Sequence, residues 1–309
     1  MGSVDESRPS PVIFRNILFA LDFSAGSLRA FPFAMGIARR YEGKLFVAHI
    51  TPLQDHGTTP SSAELALDKL LQAATEAGLK DATGGLAQIA HELLFEHGEI
   101  CSRLLATADS CKIDLVVIGT HGWRGIKKLL KGSTAEEIAC LSSRPVLTVG
   151  PKVSGRTDFK VILYATDLLP PARYALSYAA SMARKYGADL LILHVNDWNS
   201  GEPPTEAEPR TSALVGQQLA SYDGGAMVKK AQVMVDFGPR ADLILEHAAT
   251  RKADLIITGL HSRDGIRARI AAHLPGSTTY EVVSRATCPV LTVPLPRKHT
   301  GASQPQYSE

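Results

Sequence analysis

Three glycines and a serine stand at a spacing that suits a phosphate-binding loop. Two residues separate Gly119 from Gly122, and nine residues separate Gly122 from Gly132, which Ser133 follows. Glycines lack Cβ atoms, so the backbone can turn sharply and approach a ligand closely. Amides at a helix start attract anions, and the hydroxyls of Ser133 and Thr134 can either contact phosphate or cap that helix. The motif directly follows an apolar strand, and it predicts a phosphate site.

This loop differs from two common nucleotide-binding motifs. The pattern GxxxxGK[ST] is absent, since no lysine directly follows Gly132, and GxGxxG is absent as well. We therefore predict neither a Walker A loop nor a dinucleotide site. Basic residues between the glycines are interpreted as a solvated helix face rather than as a phosphate clamp: Arg124, Lys127, Lys128 and Lys131.

Two other segments end strands at the same predicted edge. Asp22 follows an apolar strand and could accept hydrogen bonds from a ribose or an adenine, or it could cap the next helix, and the sequence leaves both roles open. The backbone at His49 and Ile50 could meet an adenine edge. We interpret the His49 side chain itself as a packed histidine whose hydrogen bonds are satisfied.

The elements that would position these residues occur twice along the chain. Asp22 is matched by Asp167, and His49 by His194. Three pairs of segments align: 14–51 with 159–196, 113–119 with 253–259, and 144–149 with 288–293. A duplication of one domain is therefore predicted before any motif is considered.

Each copy alternates nearly continuous apolar strands with amphipathic helices, which is typical of parallel strands buried on both faces. A stripe at Ala30, Ala34, Ile37 and Ala38 predicts one buried helix face. We expect two α/β domains, each a doubly wound five-stranded parallel sheet with its own core. The Pro/Gly/Ser-rich stretch 150–157 marks the boundary.

Composition excludes several classes of protein. The length of 309 residues suits two domains. The net charge of +2 gives no indication of binding to nucleic acid or to an anionic membrane surface. Four cysteines without CxxC spacing predict neither a zinc site nor disulfides, but reduced and mostly buried thiols. There is no apolar leader and no long apolar span, so we expect a cytoplasmic protein.

In the glycine motif and in the strand ends at Asp22 and His49, the chain resembles the universal stress protein family, whose nucleotide-binding members carry G-2x-G-9x-G-(S/T). The resemblance covers residues 12–150 and 158–294 and implies two tandem Rossmann-like domains of the adenine nucleotide alpha hydrolase-like type. It also implies that ATP, with or without Mg²⁺, is held by specific residues of the first domain. These are Ala20, Leu21, Asp22 and Ile50 for adenosine, and Gly119, His121, Gly122, Gly132, Ser133 and Thr134 for ribose and phosphates.

The second domain departs from this pattern. Ser262 replaces the second glycine, Pro275 enters the loop, and seventeen rather than thirteen residue steps separate Gly259 from Gly276. A Cβ atom at position 262 and a longer loop should move the phosphate-binding amides. We expect weaker, altered or absent nucleotide binding in this half.

The resemblance implies a nucleotide-binding regulatory protein of the stress response, not an enzyme. A partner-binding scaffold without nucleotide and a slow ATP hydrolase are kept as alternatives, although no catalytic acid/base pair or metal-binding carboxylate can be identified. The halves are expected to form a pseudo-dimer through Pro145–Val149 and Pro289–Val293. A homodimer of the whole chain is compatible with this.

Overall fold

The chain folds into two halves whose five described strands follow the same order, as a computed structural model shows. The structure describes residues 12–52, 68, 70–72, 86, 88–120, 134–154, 156–169, 172–196, 204–223, 231–260 and 277–295. The first half contains β1 (Asn16–Ala20), α1 (Ala25–Tyr41), β2 (Lys44–Thr51), β3 (His91–His97), α2 (Ile100–Ser110), β4 (Leu115–Gly119), α3 (Thr134–Leu141) and β5 (Val146–Val149). The second half contains β6 (Val161–Thr166), α4 (Ala172–Tyr186), β7 (Asp189–Asn196), α5 (Pro204–Asp223), β8 (Gln232–Phe237), α6 (Arg240–Thr250), β9 (Leu255–Leu260), α7 (Thr278–Arg285) and β10 (Val290–Pro294).

All ten strands belong to one sheet, in the order β3-β2-β1-β4-β5-β10-β9-β6-β7-β8. Within each half the strands are parallel. The strand order reverses once in each half, between β1 and β4 in the first half and between β6 and β9 in the second. The predicted doubly wound α/β fold with five strands in each half is confirmed.

The two halves join through their last strands. Strands β5 and β10 pair antiparallel, with Leu147 opposite Leu291, and Thr148 and Val146 opposite Val290 and Thr292. The pairing of these strands as a pseudo-dimer is therefore confirmed. We call this pair of strands, β5 and β10, the seam. Because each half supplies the same segment to it, the seam is self-complementary.

One carboxylate in each half fixes the start of its central strands. The Oδ2 atom of Asp114, just before β4, accepts hydrogen bonds from the backbone amides of Arg15 and Asn16 at 2.8 and 3.0 Å. Asp254, just before β9, accepts equivalent bonds from Lys160 and Val161 at 2.7 and 3.0 Å. The repeated aspartate thus sets the register of β1 and β6 against their neighbours.

The core is not divided as the sequence predicts. On one face, a single cluster runs across both halves and includes the predicted stripe of α1, whose four members are fully buried. On the other face, each half has its own cluster, around α2 and α3 and around α6 and α7. The expectation of one separate core in each half is therefore wrong on the α1 and α4 face, because the continuous sheet brings these helices together.

Aromatic rings and cations join α1 to α4 across the pseudo-twofold. The rings of Tyr41 and Tyr186 lie 6.3 Å apart. The guanidinium of Arg40 sits 4.9 Å from the centre of the Tyr186 ring, and the Lys185 ammonium sits 5.5 Å from that of Tyr41. Burial raises the pKa of both tyrosine hydroxyls, so they stay neutral in this contact.

Cys101, Cys111 and Cys288 do not form disulfides, in agreement with the prediction for these three. Cys101 and Cys288 are buried and Cys111 is half-buried. Burial raises the pKa of Cys288 to about 12, so this thiol is unreactive at neutral pH. Across the described ranges, no helix has both the length and the apolar character needed to span a membrane.

Candidate functional site

The strand order of the first half reverses between β1 and β4, the point at which doubly wound folds have their ligand crevice. Strands β1 and β4 are adjacent, with Ile17 opposite Leu115 and Phe19 opposite Val117. Helix α1, which follows β1, packs on one face of the sheet, and helix α3, which follows β4, packs on the other. The two connections therefore diverge beyond the carboxyl ends of these strands, where ligands bind in doubly wound folds.

The connection after β1 is a tight, hydrogen-bonded turn. Leu21 is buried, and its amide donates to the carbonyl of Ala48 at 2.8 Å, so Ala20 and Leu21 extend the pairing with β2. Asp22 is exposed, and its Oδ1 accepts from the amide of Ser24 at 2.9 Å. Phe23 between them adopts φ of 59°, in the left-handed region. The carboxylate of Asp22 thus shapes this turn directly after the carboxyl end of β1.

Asp22 is not the cap of α1. Ser24 occupies that position, and its side chain accepts from the amide of Ser27 at 3.2 Å. The alternative that the sequence left open, Asp22 as helix cap, is wrong. The reason is that the left-handed residue Phe23 lengthens the turn and starts the helix two residues later.

His49 supports this turn from β2. Its Nδ1 donates to the carbonyl of Leu21 at 2.8 Å, which requires the proton on that nitrogen. The ring lies edge-on between Phe23 and Phe95, at centroid distances of 5.0 and 6.0 Å. The interpretation of His49 as a packed histidine is confirmed, and Ile50 beside it is buried.

Gly119 ends β4 where α1 approaches most closely. A Cβ atom at this position would lie 2.0 Å from the carbonyl oxygen of Gly26 and 2.6 Å from the amide of Ser27. A Cβ atom at Gly26 would in turn lie 2.9 Å from the carbonyl oxygen of Thr120. The glycine at 119 is therefore required by the contact between strand and helix, whether or not a ligand also approaches it. Sequence reasoning missed Gly26, since no motif marks it.

The remaining predicted phosphate contacts fall mostly outside the described residues. His121, Gly122, Gly132 and Ser133 are in that group, as are the basic residues between them. Thr134 opens helix α3, so a helix does begin directly after the last glycine of the motif, as predicted. The phosphate-contacting role of all these residues stays a prediction. The same holds for Ser262, Pro275 and the loop around them in the second half.

A second helix start lies at this edge of the sheet and was missed by sequence reasoning. Glu99 precedes α2, and its carboxylate accepts from the amides of Cys101 and Ser102 at 3.0 and 2.7 Å. Hydrogen bonds from Ser102 and Cys101 lower the pKa of Glu99. In the sequence, an acidic residue just before an amphipathic helix was the available signal. Within the ranges that the structure describes, no group of three or more His, Cys, Asp or Glu residues is placed to hold a metal.

Comparisons with known proteins agree with this geometry. The model of the universal stress protein family matches residues 13–150 and 158–294. A universal stress protein of Mycolicibacterium smegmatis is 30% identical over 201 residues, which are 63% of this chain and 66% of that protein. One from Thermus aquaticus is 34% identical over 141 residues, 44% of this chain and 98% of that protein. The crystal structure of a universal stress protein from Archaeoglobus fulgidus has the same fold, with a TM-score of 0.66 at 21% identity over 90% of this chain and 97% of that one.

Proposed function

Because this chain belongs to the universal stress protein family, whose model matches both of its halves, we propose that it is an ATP-binding regulatory protein of the stress response. The nucleotide site lies in the first half. In this proposal, occupancy by ATP changes the surface that a partner protein meets, and no chemical step is required.

The observation that carries this proposal is the position of the glycine motif. The spacing from Gly119 to Ser133 fills the connection between β4 and α3, which leaves the sheet at the reversal of strand order. Glycine-rich connections that end at a helix start bind phosphate through backbone amides. The Asp22 turn lies on the neighbouring strand end, at the same reversal of strand order.

The described residues suit the nucleoside part of such a ligand. Ala20 and Ile50 end neighbouring strands, and Ile50 and Leu21 contribute buried apolar surface at this edge. The exposed carboxylate of Asp22 is a hydrogen-bond acceptor for ribose hydroxyls. Magnesium bound with ATP would neutralise part of the phosphate charge.

Calorimetry on the full-length chain tests the proposal. We expect ATP to bind at about one site per chain in the presence of magnesium, because only the first half keeps the complete glycine spacing. Gly122→Val and Gly132→Val should each abolish binding while leaving the circular dichroism spectrum unchanged, since a branched side chain blocks the approach of phosphate. Glycine-to-valine exchange at Gly216, in α5 of the second half, is the matched control and should retain binding.

Two results would overturn this assignment. Two equivalent ATP sites would mean that the altered second-half loop still binds, and no binding at all would favour a nucleotide-free scaffold. Measuring phosphate release in the same samples separates ATP binding from ATP hydrolysis. We expect the wild-type chain to release phosphate no faster than the Gly132→Val variant.

A further inference from the structure

The second half has a cavity at the position of its sheet that corresponds to the candidate site of the first half. It has a volume of about 260 Å³ and lies where the order of strands reverses between β6 and β9. Its walls come from the ends of β6, β7 and β9 and from the first turns of α6 and α7. The described residues that line it are Ala165, Thr166, Asp167, Leu193, Val195, Arg240, Ile244, Thr258, Gly259, Thr278 and Thr279.

The lining of this cavity is more polar than the equivalent positions of the first half. The repeat makes these positions comparable, because matching strands occupy equivalent places in the sheet and the sequences align around Gly98 and Gly238, Gly119 and Gly259, and Gly132 and Gly276. At four positions an apolar residue of the first half is replaced by a polar one in the second. The pairs are Leu21 and Thr166, Ile100 and Arg240, Ile118 and Thr258, and Ala135 and Thr279.

These replacements remove apolar surface that a purine ring would need. Leu21, Ile118 and Ala135 are each at most 7% exposed and belong to apolar clusters of the first half. Threonine presents a hydroxyl at each equivalent place. The polarity of the lining disfavours an adenine base here.

The charged groups of the cavity indicate what would fit instead. Arg240 begins α6 and carries a guanidinium suited to a phosphate or carboxylate group. Asp167 follows β6, and its Oδ1 accepts from the amide of Leu169 at 3.0 Å. A carboxylate in the same cavity repels a bare anion but accepts hydrogen bonds from hydroxyls. One cation, one carboxylate and several hydroxyls therefore match a molecule with an anionic end and a hydroxylated body.

We propose that the cavity of the second half binds a small hydroxylated phosphate ester, of the sugar phosphate class, and not a nucleotide base. Arg240 binds the phosphate group, and Asp167 with the threonines binds the hydroxyls. Binding of the sugar phosphate in the second half does not depend on ATP binding in the first half. Together with the proposed function of the first half, on which this last step rests, the chain senses two different ligands.

Ribose 5-phosphate is the probe, titrated by calorimetry into the full-length chain with and without saturating ATP. We expect it to bind at about one site per chain in both conditions. Arg240→Ile, which installs the residue of the first half, should weaken binding about tenfold or more, because a charge-assisted hydrogen bond is lost. Arg251→Ile, at the opposite end of the same helix, is the matched control and should leave the affinity unchanged. Thr258→Ile should weaken binding as well, by filling the hydroxylated wall.

Several outcomes would overturn the proposal. If ribose 5-phosphate does not bind, or binds equally well to Arg240→Ile, the cavity is not its site. If inorganic phosphate binds as tightly, the hydroxyl contacts contribute nothing and the site holds an adventitious ion only. If adenosine competes with ribose 5-phosphate in the ATP-saturated chain, the second half has kept a base site.

Discussion

The turn after the first strand of each half holds a non-glycine residue in the left-handed region. Phe23 has φ of 59° and Leu168, its counterpart, φ of 64°. Such a residue costs on the order of 1 kcal/mol. In both halves the preceding aspartate accepts a hydrogen bond from the backbone amide two residues further along the chain. The distances are 2.9 Å for Asp22 and 3.0 Å for Asp167, and these hydrogen bonds offset the cost. The aspartates are thus held in position before any ligand arrives.

Gly119→Ala tests the close contact between β4 and α1. The new methyl group would overlap the backbone of Gly26, which cannot move without displacing the helix. We expect a loss of roughly 2–4 kcal/mol in the free energy of unfolding, typical of severe overpacking. Urea denaturation measures it.

The control for this experiment is Gly216→Ala, the same exchange in α5, where the added carbon would have no atom within 4 Å among the described residues, apart from its chain neighbours and the backbone of its own helix. It should stabilise the protein by about 0.5–1 kcal/mol, because alanine favours helix more than glycine does. Equal effects of the two exchanges would show that the Gly26 contact is not close in solution.

Single residues show where prediction from sequence succeeds. Asp22 and His49 could be placed near the ends of strands because Asp22 follows a clear apolar strand and His49 lies near the end of another. Ser24 as the cap could not, since the left-handed geometry of Phe23 has no signature in residue type. The contact of Gly26 with Gly119 could not be predicted from the sequence either, because the two residues are distant in the chain and meet only in the folded protein.

At the scale of elements, equivalent helices of the two halves begin differently. Glu99 caps α2 with its carboxylate, whereas Pro239 precedes α6 without a side-chain cap. The repeat predicted both helices, because their apolar periodicity is the same. It could not predict their relative stability, which depends on one hydrogen-bonding side chain.

Glu99→Ala should destabilise the protein at neutral pH by about 0.5–1 kcal/mol, the usual effect of removing a cap. The hydrogen bonds lower the pKa of Glu99 in the folded state, so its contribution is present above the unfolded pKa and is lost as pH falls through the folded value. The difference between variant and wild type should therefore shrink below about pH 4. Thermal unfolding between pH 3 and 7 measures it, with Pro239→Ala as a control that shows no such pH dependence.

The seam strands offer a comparison of two equivalent threonines. Thr292 is buried, and its hydroxyl donates to the carbonyl of Val146 at 3.3 Å. The hydroxyl of Thr148 is buried without a hydrogen-bond partner among the described residues. Thr292→Val should therefore cost about 1 kcal/mol in unfolding free energy, and Thr148→Val should be neutral or stabilising. Equal losses in chemical denaturation would contradict the asymmetry.

At the scale of the whole molecule, the chain is built like a dimer fused into one polypeptide. Leu147 faces its own counterpart, Leu291, at the centre of the seam, as expected for a twofold axis. The duplication, the apolar last strands and the resemblance to the family together predicted this pairing. The shared core around α1 and α4 was not predicted, because apolar stripes do not say whether a helix packs within its own half or also against the other half.

Leu147→Pro tests whether the seam holds the halves together. Leu147 is fully buried and pairs with β4 on one side and β10 on the other. Proline cannot donate to either strand, so the variant should lose backbone pairing at the centre of the seam. We expect a large loss of thermal stability and a faster cleavage by protease between the halves, in the stretch 150–157. Ser61→Pro, in the part of the chain between β2 and β3 and far in sequence from the seam, is the control and should change neither measurement. If Leu147→Pro keeps the melting temperature and protease resistance of the wild type, β5 does not join the two halves in solution.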